Sequence, residues 1–262
     1  MSKNKPIVCG DKFLISDGGE VVVVRYNNAK DILIEHCDEN KHRAHVYANQ
    51  LRKGQIKNPF KPTVAGVGYF GHGPMKATEG NKNTFEYTVW SNMLKRVYCN
   101  EKSVKNACYQ GCSVVEEWHN FQNFAGWSKQ QPNNCTKGFE LDKDLLVLGN
   151  RTYGPDKCSY VPHRINSILC DREGDRGDLP VGVTHHKNKY RSRLNVDGKR
   201  VHLGLYETCS EAFNVYREEK IKYVREVVNE YKQYLHPQVY NNLLNWTVDI
   251  IEIKENYDEI SK

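Results

Sequence analysis

Three oxygen-bearing side chains occur where a predicted hairpin and the following helix bring them together. Asp142 and Asp144 stand two residues apart at a strand end, and Asn166 lies near the start of the helix. Side chains two apart on a strand share a face, so both carboxylates are expected near one ion. Carboxylate and amide oxygens suit Mg²⁺ or Mn²⁺, which neutralise charge on a phosphodiester while a base deprotonates water. The pattern therefore predicts a divalent metal site for phosphodiester hydrolysis.

The elements that position these groups follow one another within residues 139–173. The pattern predicts a strand, a turn at Gly149 and Asn150, a second strand through Tyr160, and a helix opened by Pro162. In this interpretation Asn150 needs no function, because asparagine tolerates the positive φ that turns require.

Two aromatic-rich stretches before the hairpin are predicted to be helices that build a core. The first runs from Glu86 and the second from Val114. Large apolar residues recur in both stretches at helical spacing. They are Trp90, Met93, Leu94 and Val97 in the first and Trp118, Phe121, Phe124 and Trp127 in the second.

The N-terminal part reads as a small β-rich unit. Apolar or alternating runs at Val21–Tyr26 and 31–37 predict two strands, separated by turn-forming asparagines. The Gly/Pro/Lys-rich stretch 54–74 is predicted to be an extended connector without a regular helix. Its glycines complete no phosphate-binding loop or dinucleotide fingerprint, so we expect structural turns and no small-molecule cofactor.

A third unit follows residue 178. Three alternating segments, with a turn at Asp197 and Gly198, predict three strands, and a helix is expected from about Ser210. Period two puts Arg191 and Arg193 on the face opposite Tyr190. Beyond it, residues 223–235 are predicted to be helical, and residues 246–255 are strand-like.

The sequence from Trp90 to Leu169 resembles the phage-type HNH endonucleases of the homing-endonuclease group. The resemblance rests on the aromatic stretch 116–127, Leu-Asp-Lys-Asp at 141–144, Tyr-Gly-Pro at 153–155 and Val-Pro-x-x-Ile-Asn at 161–166. It implies a ββα-metal fold and cutting of DNA. The roles that it implies are metal ligands at Asp142 and Asn166, with Lys143 at the usual position of the base histidine and Lys157 at that of the central asparagine.

The identity of the base stays open at this point. Lys143 serves only if burial or neighbouring charge lowers its pKa from about 10.4 toward neutrality. Otherwise Lys143 binds phosphate, and either His163, on the same helix face as Asn166, or the metal ion itself activates the water. Asp144 is a candidate second carboxylate for the metal.

The third unit is similar to the ethylene-response-factor (APETALA-type) DNA-binding domain. The signature comprises Gly182-Val183, Tyr190-Arg191-x-Arg193, Gly198-Lys199, Leu203-Gly204-x-Tyr206, Glu211-Ala212-Phe213 and Tyr216. The resemblance implies a three-stranded sheet in the major groove of DNA. Arginine grips guanine in bidentate fashion, and exposed cations bind phosphates. The expected contacts are Arg191 and Arg193 to bases, Lys187, Lys189, Lys199 and Arg200 to phosphates, and His202 to either.

Composition agrees with a nucleic-acid partner without requiring one. The 262 residues carry a formal net charge of +6, which favours polyanionic partners. No apolar run approaches the roughly 20 residues that span a bilayer, and no signal-peptide core is present, so we expect a cytoplasmic protein without a membrane partner. Nine cysteines without a disulfide framework favour reduced thiols. Only Cys108 and Cys112 are close in sequence, with Cys135 a distant third, which disfavours structural zinc.

Together these features predict an α+β, multidomain protein. The expected divisions are a β-rich unit and linker at 1–74, the nuclease domain at 75–175, the DNA-binding domain at 178–235 and a tail at 236–262. The favoured function is metal-dependent nicking of double-stranded DNA. The alternatives are a DNA-binding regulator that retains the fold without cutting, and an RNA-binding or protein-interaction role for the N-terminal unit. The oligomeric state and the choice between Mg²⁺ and Mn²⁺ stay open.

Overall fold

The computed structural model describes residues 5–99, 109–169 and 179–248. The chain mixes helix (33%) and strand (27%) in several sheets, which confirms the predicted α+β class at this level. It divides into two compact units. Unit one comprises Met1–Cys108 and Glu116–Gly126, and unit two comprises Tyr109–Val115 and Trp127–Lys262. Within the described ranges, no helix has the length and apolar character needed to cross a membrane.

A four-stranded antiparallel sheet begins unit one, with its strands in chain order. The strands are β1 (Lys12–Leu14), β2 (Glu20–Asn28), β3 (Asp31–His36) and β4 (Arg43–Val46), followed by helix α1 (Ala48–Arg52). Alternate residues of β2 and β3, including Val21, Val23 and Ile34, are buried. One sheet face therefore covers a small core, as the alternating sequence predicts.

The connector after this sheet contains no regular helix, in agreement with the sequence. Gly71 has φ +73°, and a Cβ atom there would lie 2.0 Å from the side chain of Asn120. A Cβ atom on Gly73 would lie 2.4 Å from Gln122. These glycines therefore allow close packing of the backbone against neighbouring side chains.

The aromatic residues of unit one form its second core. Short strands β5 (Thr78–Glu79) and β6 (Lys82–Asn83) precede helix α2 (Phe85–Tyr98), in which Trp90, Met93 and Leu94 are buried. Thr84 caps α2 by accepting a hydrogen bond from the backbone N–H of Tyr87 at 3.3 Å. Trp118, Phe121 and Phe124 are also buried, which confirms their predicted core role.

The single helix predicted from Val114 is wrong. The chain instead forms strand β7 (Ser113–Val114), a 3₁₀ turn at Glu116–His119 and helix α3 (Phe121–Gln130). Strand β7 pairs in parallel with strand β9 (Thr152–Tyr153) of the same unit. This distant pairing commits Ser113 and Val114 to extended backbone despite the helical spacing of the aromatic residues.

Unit two contains the predicted hairpin and helix. Strand β8 (Phe139–Asp142) pairs antiparallel with β10 (Ser159–Pro162), so that Asp142 lies opposite Ser159 and Glu140 opposite Val161. Helix α4 (His163–Leu169) follows β10 directly. The predicted second strand, from the turn at Gly149 and Asn150 through Tyr160, is wrong in its first half, because Thr152–Tyr153 pairs with β7 and the partner of β8 begins at Ser159. Pro162 ends that strand, so the prediction that Pro162 opens the helix is wrong by one residue.

The three-stranded sheet and helix of unit two agree with the sequence. Strands β11 (Val183–His186), β12 (Lys189–Val196) and β13 (Lys199–Tyr206) form an antiparallel sheet, followed by α5 (Cys209–Glu230) and α6 (Pro237–Leu244). Asp197 (φ 48°) and Gly198 (φ 81°) form the β12–β13 turn. Residues 249–255 of the strand-like C-terminal segment lie outside the described residues.

One hydrophobic core joins the hairpin, α4 and the three-stranded sheet. Val161 and Ile165 are fully buried in the same cluster as Phe213, Val224 and Val227 of α5. Leu145, which follows the candidate metal ligands, is buried in that cluster too. The candidate metal ligands and the basic strands therefore belong to one packed body.

Candidate metal centre and nucleic-acid interface

The side chain of Asp142 stabilises a turn at the end of β8. Its Oδ1 atom accepts the backbone N–H groups of Asp144 at 3.0 Å and Leu145 at 2.7 Å. Side chains of aspartate commonly hold such turns. The carboxylate is thereby fixed at the point where the strand ends, and the following turn brings Asp144 toward it.

Burial raises the pKa of Asp142 from 3.8 to about 7, and the nearby negative charge of Asp144 adds to this rise. The two backbone N–H bonds act in the opposite direction but do not outweigh burial. A cation beside the pair would stabilise both charged carboxylates. The chemistry of the pair therefore fits a positively charged ligand.

Lys143 points its ammonium group at the same pair. Its Nζ atom lies 2.8 Å from Oδ2 of Asp144, and the side chain is only 11% exposed. Burial alone would lower the pKa of Lys143, but the hydrogen bond and charge of Asp144 raise it overall. The lowered pKa that a lysine base requires is not found, so Lys143 is a charged donor at neutral pH.

Glu140 joins the two candidate residues of α4. Oε1 of Glu140 lies 2.9 Å from Nδ1 of His163, and Oε2 accepts Nδ2 of Asn166 at 3.4 Å. Glu140 and Asp142 are two residues apart on β8 and share a face of that strand. The structure therefore joins Glu140, His163 and Asn166, whereas the described hydrogen bonds of Asp142 go to the turn after β8.

Asn150 closes the loop between β8 and β9. Its Nδ2 atom donates to the carbonyls of Lys143 at 2.6 Å and Thr152 at 2.8 Å, and its Oδ1 accepts the N–H of Thr152 at 3.2 Å. Gly149 supplies the positive φ of this turn, whereas Asn150 has none. The interpretation of Asn150 as a turn residue without a role is therefore wrong.

The structure describes no hydrogen bond from the side chain of Lys157 to this loop. Its backbone N–H donates to the carbonyl of Gly154 at 3.2 Å in the turn before β10. The bracing that a central asparagine can supply comes instead from Asn150, seven residues earlier.

Asp142, Asp144 and Asn166 carry oxygen ligands, which are the type that Mg²⁺ and Mn²⁺ prefer. Within residues 5–99, 109–169 and 179–248, no group of three His, Cys, Asp or Glu side chains could hold a metal ion. Mg²⁺ commonly binds one or two carboxylates and completes its coordination with water. Asp142 and Asp144 can supply those carboxylates, and the amide of Asn166 lies on the adjoining helix. Cys108 of the sequence-based zinc candidates lies outside the described residues.

The three-stranded sheet presents a basic outer face. Directly paired residues share a face, and Arg191 pairs with Thr184 and Leu205, whereas Arg193 pairs with His202. Tyr190, Ser192 and Leu194 between them are buried. The predicted alternation is therefore confirmed, with both arginines pointing away from the core.

Both arginines are held by β11. Arg193 donates from Nη2 to Oγ1 of Thr184 at 3.0 Å, and Arg191 contacts Nδ1 of His186 through Nη2. Partial burial and the charge of Arg191 lower the pKa of His186, so this imidazole is neutral at neutral pH. Each guanidinium keeps further N–H donors for a ligand, since arginine carries five.

The other residues predicted to contact phosphate fall into two groups, according to whether or not they lie on the arginine face of the sheet. Arg200 pairs with Asn195 on the arginine face, and His202 is exposed there. Lys189 also falls on this face and is bonded to Glu207. Lys199 pairs with Val196 at the opposite phase, and Lys187 lies in the β11–β12 turn with φ 55°. Arg200 and His202 therefore extend the arginine face, whereas Lys187 and Lys199 border it.

Sequence reasoning missed Glu140 and Asn150. The alternation that placed Asp144 on the face of Asp142 applies equally to Glu140, two residues earlier. For Asn150 the only sequence signal was its position beside Gly149, because its partners are backbone groups. Side-chain bonds of this kind require knowledge of the loop path.

No known family model matches the chain, and comparisons with curated proteins and with solved structures give no match either. The functional argument therefore depends on the residues of the site and on the sequence resemblances.

Proposed function

We propose that this chain is a divalent-metal-dependent endonuclease of the HNH type that nicks duplex DNA. The observation that carries the proposal is the carboxylate pair Asp142–Asp144, whose mutual repulsion and burial raise the pKa of Asp142 to about 7. Perturbed carboxyl groups of this kind occur at catalytic and metal sites. The pair lies at the end of β8, which pairs with β10 ahead of helix α4, and this order of elements supports the proposal.

Asp142 and Asp144 would hold the metal ion, and Asn166 would add an amide oxygen. When bound, the ion supplies positive charge that stabilises the phosphate during hydrolysis and lowers the pKa of water. Lys143, charged and bonded to Asp144, adds a second positive group. Lys143 can donate a hydrogen bond to a phosphate oxygen, which agrees with the alternative role left open for it.

His163 is the best candidate for the base. Its Nδ1 atom faces Glu140 at 2.9 Å, so an N–H there leaves Nε2 free to accept a proton. A base oriented by a carboxylate is a common catalytic arrangement. Glu140 thus acts as a positioning residue that fixes the ring and its tautomer.

The three-stranded sheet would bind the duplex in the manner of the ethylene-response-factor domain. Arg191 and Arg193 point away from the core and are anchored by β11 at His186 and Thr184. Their remaining donors suit guanine edges in the major groove, and Arg200 suits a phosphate. The proposed partner is double-stranded DNA.

A second candidate function is DNA binding without cutting. It is favoured by the raised pKa of Lys143, which removes the lysine base, and by the bond between Asn166 and Glu140. This alternative keeps the arginine face and predicts no dependence of function on Asp142.

The decisive experiment is cleavage of supercoiled plasmid with Mg²⁺ or Mn²⁺. The parent protein is expected to give nicked circles, and chelation by EDTA should stop the reaction. Asp142→Asn removes the charge while keeping the shape, and we expect a loss of at least about 10³-fold in rate. Asp156→Asn, an exposed aspartate in the turn before β10, is the matched control and should cut like the parent.

The two base candidates separate in the same assay. His163→Gln is expected to slow cutting by about 10²-fold or more, because the group that takes the proton from water is lost. Lys143→Gln should slow cutting while the pH profile keeps its shape. If the parent binds plasmid but never nicks it with either metal, the regulator function replaces the nuclease.

A further inference from the structure

Arg164 lies beside His163 on α4 but binds a different part of unit two. Its Nε and Nη2 atoms donate to Oδ1 and Oδ2 of Asp197 at 2.9 and 3.0 Å. Its Nη1 atom bonds to Glu230 at the end of α5. The guanidinium is thus held by two carboxylates of the helix-and-sheet module.

Asp197 is itself fixed by α5. It occupies the β12–β13 turn, and its Oδ1 atom accepts the hydroxyl of Tyr223 at 3.0 Å. The hydrogen bond to Arg164 lowers the pKa of Asp197, and the same bond raises the pKa of Arg164. Both groups therefore stay charged throughout the neutral range. A bidentate pair of this kind fixes orientation as well as distance.

Further hydrogen bonds connect α5 to the end of α4, and α6 to the loop after β8. Lys220 of α5 donates to the carbonyl of Ile168, at the end of α4, at 2.5 Å. Asn242 of α6 donates to the carbonyls of Leu145 and Leu146 at 2.9 and 3.1 Å, immediately after the aspartates. Helix α5 is therefore bonded to the helix that carries His163, and α6 is bonded to the loop that follows Asp142.

The polar network adds direction to the shared core. Burial of Val161 and Ile165 favours contact between α4 and α5, but apolar burial is non-directional. The two bonds from the Arg164 guanidinium to the carboxylate of Asp197 fix how α4 is rotated about its axis and where it lies along that axis relative to the β12–β13 turn. That turn ends the strands that carry Arg191, Arg193 and Arg200.

We propose that Arg164 is a positioning residue that sets the distance between the cutting site and the DNA-reading sheet face. This inference rests on the proposed function. The chain then cuts duplex DNA at a constant number of base pairs from the bases that the sheet contacts. The number of base pairs between the cut and the contacted bases is therefore set by the packing within unit two.

The test maps cut positions on an end-labelled duplex against the footprint of the protein. The parent is expected to cut each labelled strand at one position relative to the footprint. Arg164→Gln should keep the footprint, spread the cuts over neighbouring positions and lower kcat by about tenfold with little change in KM. Lys222→Gln, which removes one exposed charge from α5, is the matched control and should behave as the parent.

A rescue variant separates positioning from general damage to the fold. Arg164→Asp combined with Asp197→Arg exchanges the partners, and it should restore the single cut position that Arg164→Asp alone loses. Lys in place of Arg164 keeps the charge without the fork and should restore the position only in part. Unchanged cut positions in Arg164→Gln, or scattered cuts by the parent, overturn the inference.

Hydrogen exchange tests the inference independently of cutting. On DNA-bound protein, the amides of α4 should exchange faster in Arg164→Gln than in the parent, whereas buried amides of α5 keep their protection. Equal exchange in α4 overturns the inference. If α4 exchanges faster in Arg164→Gln than in the parent but the parent cuts no DNA, the proposed nuclease function is refuted and the positioning of α4 by Arg164 stays supported.

Discussion

The candidate metal centre and the arginine face of the sheet lie in one packed unit but are built on opposite electrostatic principles. At the metal centre, a turn holds two carboxylates close together, and the pKa of Asp142 rises because burial and the charge of Asp144 disfavour its ionised form. On the sheet, Arg191 and Arg193 lie on the outer face, partly exposed to solvent, and are anchored by neutral partners.

The electrostatic difference between the two regions indicates which class of ligand each can bind. Lys143 bonds to Asp144, but burial still disfavours the charge of Asp142, so a further cation beside the two carboxylates would be stabilising there. An exposed row of cations costs little in water and attracts a polyanion over a distance that salt shortens. The two regions therefore suit the metal and the DNA of one hydrolytic reaction.

The largest predicted effect concerns the arginine face. Arg191→Gln and Arg193→Gln should each weaken DNA binding by ~1–3 kcal/mol, because each removes a bidentate donor for a base. Fluorescence anisotropy with a labelled target duplex measures this loss. Lys222→Gln, with the same loss of charge on α5, should bind like the parent. Equal weakening in all three variants would show that only net charge matters.

The second prediction concerns stability at the metal centre. A folded pKa of about 7 against 3.8 means that folding takes up a proton between these values. The stabilisation from protonated Asp142 is present at low pH and is lost as pH rises from about 4 to about 7. Asp142→Asn escapes this loss, and without metal it should be more stable than the parent at pH 8 by ~2 kcal/mol.

Urea unfolding at pH 4.5 and pH 8, in EDTA, measures the difference between the two proteins. The advantage of Asp142→Asn should grow with pH, whereas Asp156→Asn should show no such trend. A variant that is less stable than the parent at pH 8 contradicts a strained carboxylate pair.

The third prediction concerns the loop that supports the aspartates. Asn150→Ala removes one hydrogen bond to Lys143 and two to Thr152, and it should lower the free energy of unfolding by about 1–2 kcal/mol. Asn188→Ala, in the turn after β11, controls for an asparagine in a turn. If both variants unfold at the same urea concentration as the parent, Asn150 does not brace the loop.

The smallest predicted effect is a difference in the salt dependence of DNA binding between variants of two neighbouring cations of β13. Arg200 pairs with Asn195 on the arginine face, whereas Lys199 pairs with Val196 at the opposite phase. Arg200→Gln should therefore reduce the slope of log affinity against log salt by about one, and Lys199→Gln by less. Identical slopes for the two variants would indicate that the register of β13 does not decide which cation meets phosphate.

The sheet could be predicted from sequence almost residue by residue, because its signals are local. The alternation of Tyr190, Arg191 and Ser192 and the Asp197–Gly198 turn specify strands and register without distant partners. The start of α3 could not be predicted in this way. Ser113 and Val114 are extended because they pair with β9, and no local pattern reveals that pairing.

The candidate metal centre could be predicted in part. Asp142, Asp144 and Asn166 followed from residue types and the hairpin pattern, and the shared face of Asp142 and Glu140 was available from alternation. The direction of the pKa shift of Lys143 was not, because it depends on the balance between burial and the bond to Asp144. The RNA-binding or protein-interaction role of the N-terminal unit stays a prediction.

The most direct test of the contrast between the two regions is Mn²⁺ binding, followed by electron paramagnetic resonance of the free ion. The parent should bind Mn²⁺ at pH 8 and more weakly at pH 6, where a proton occupies Asp142 with its pKa of about 7. Asp142→Asn should bind little Mn²⁺ at either pH, and Asp156→Asn should match the parent. Equal Mn²⁺ binding by Asp142→Asn and the parent at pH 8 would contradict a metal site at the carboxylate pair.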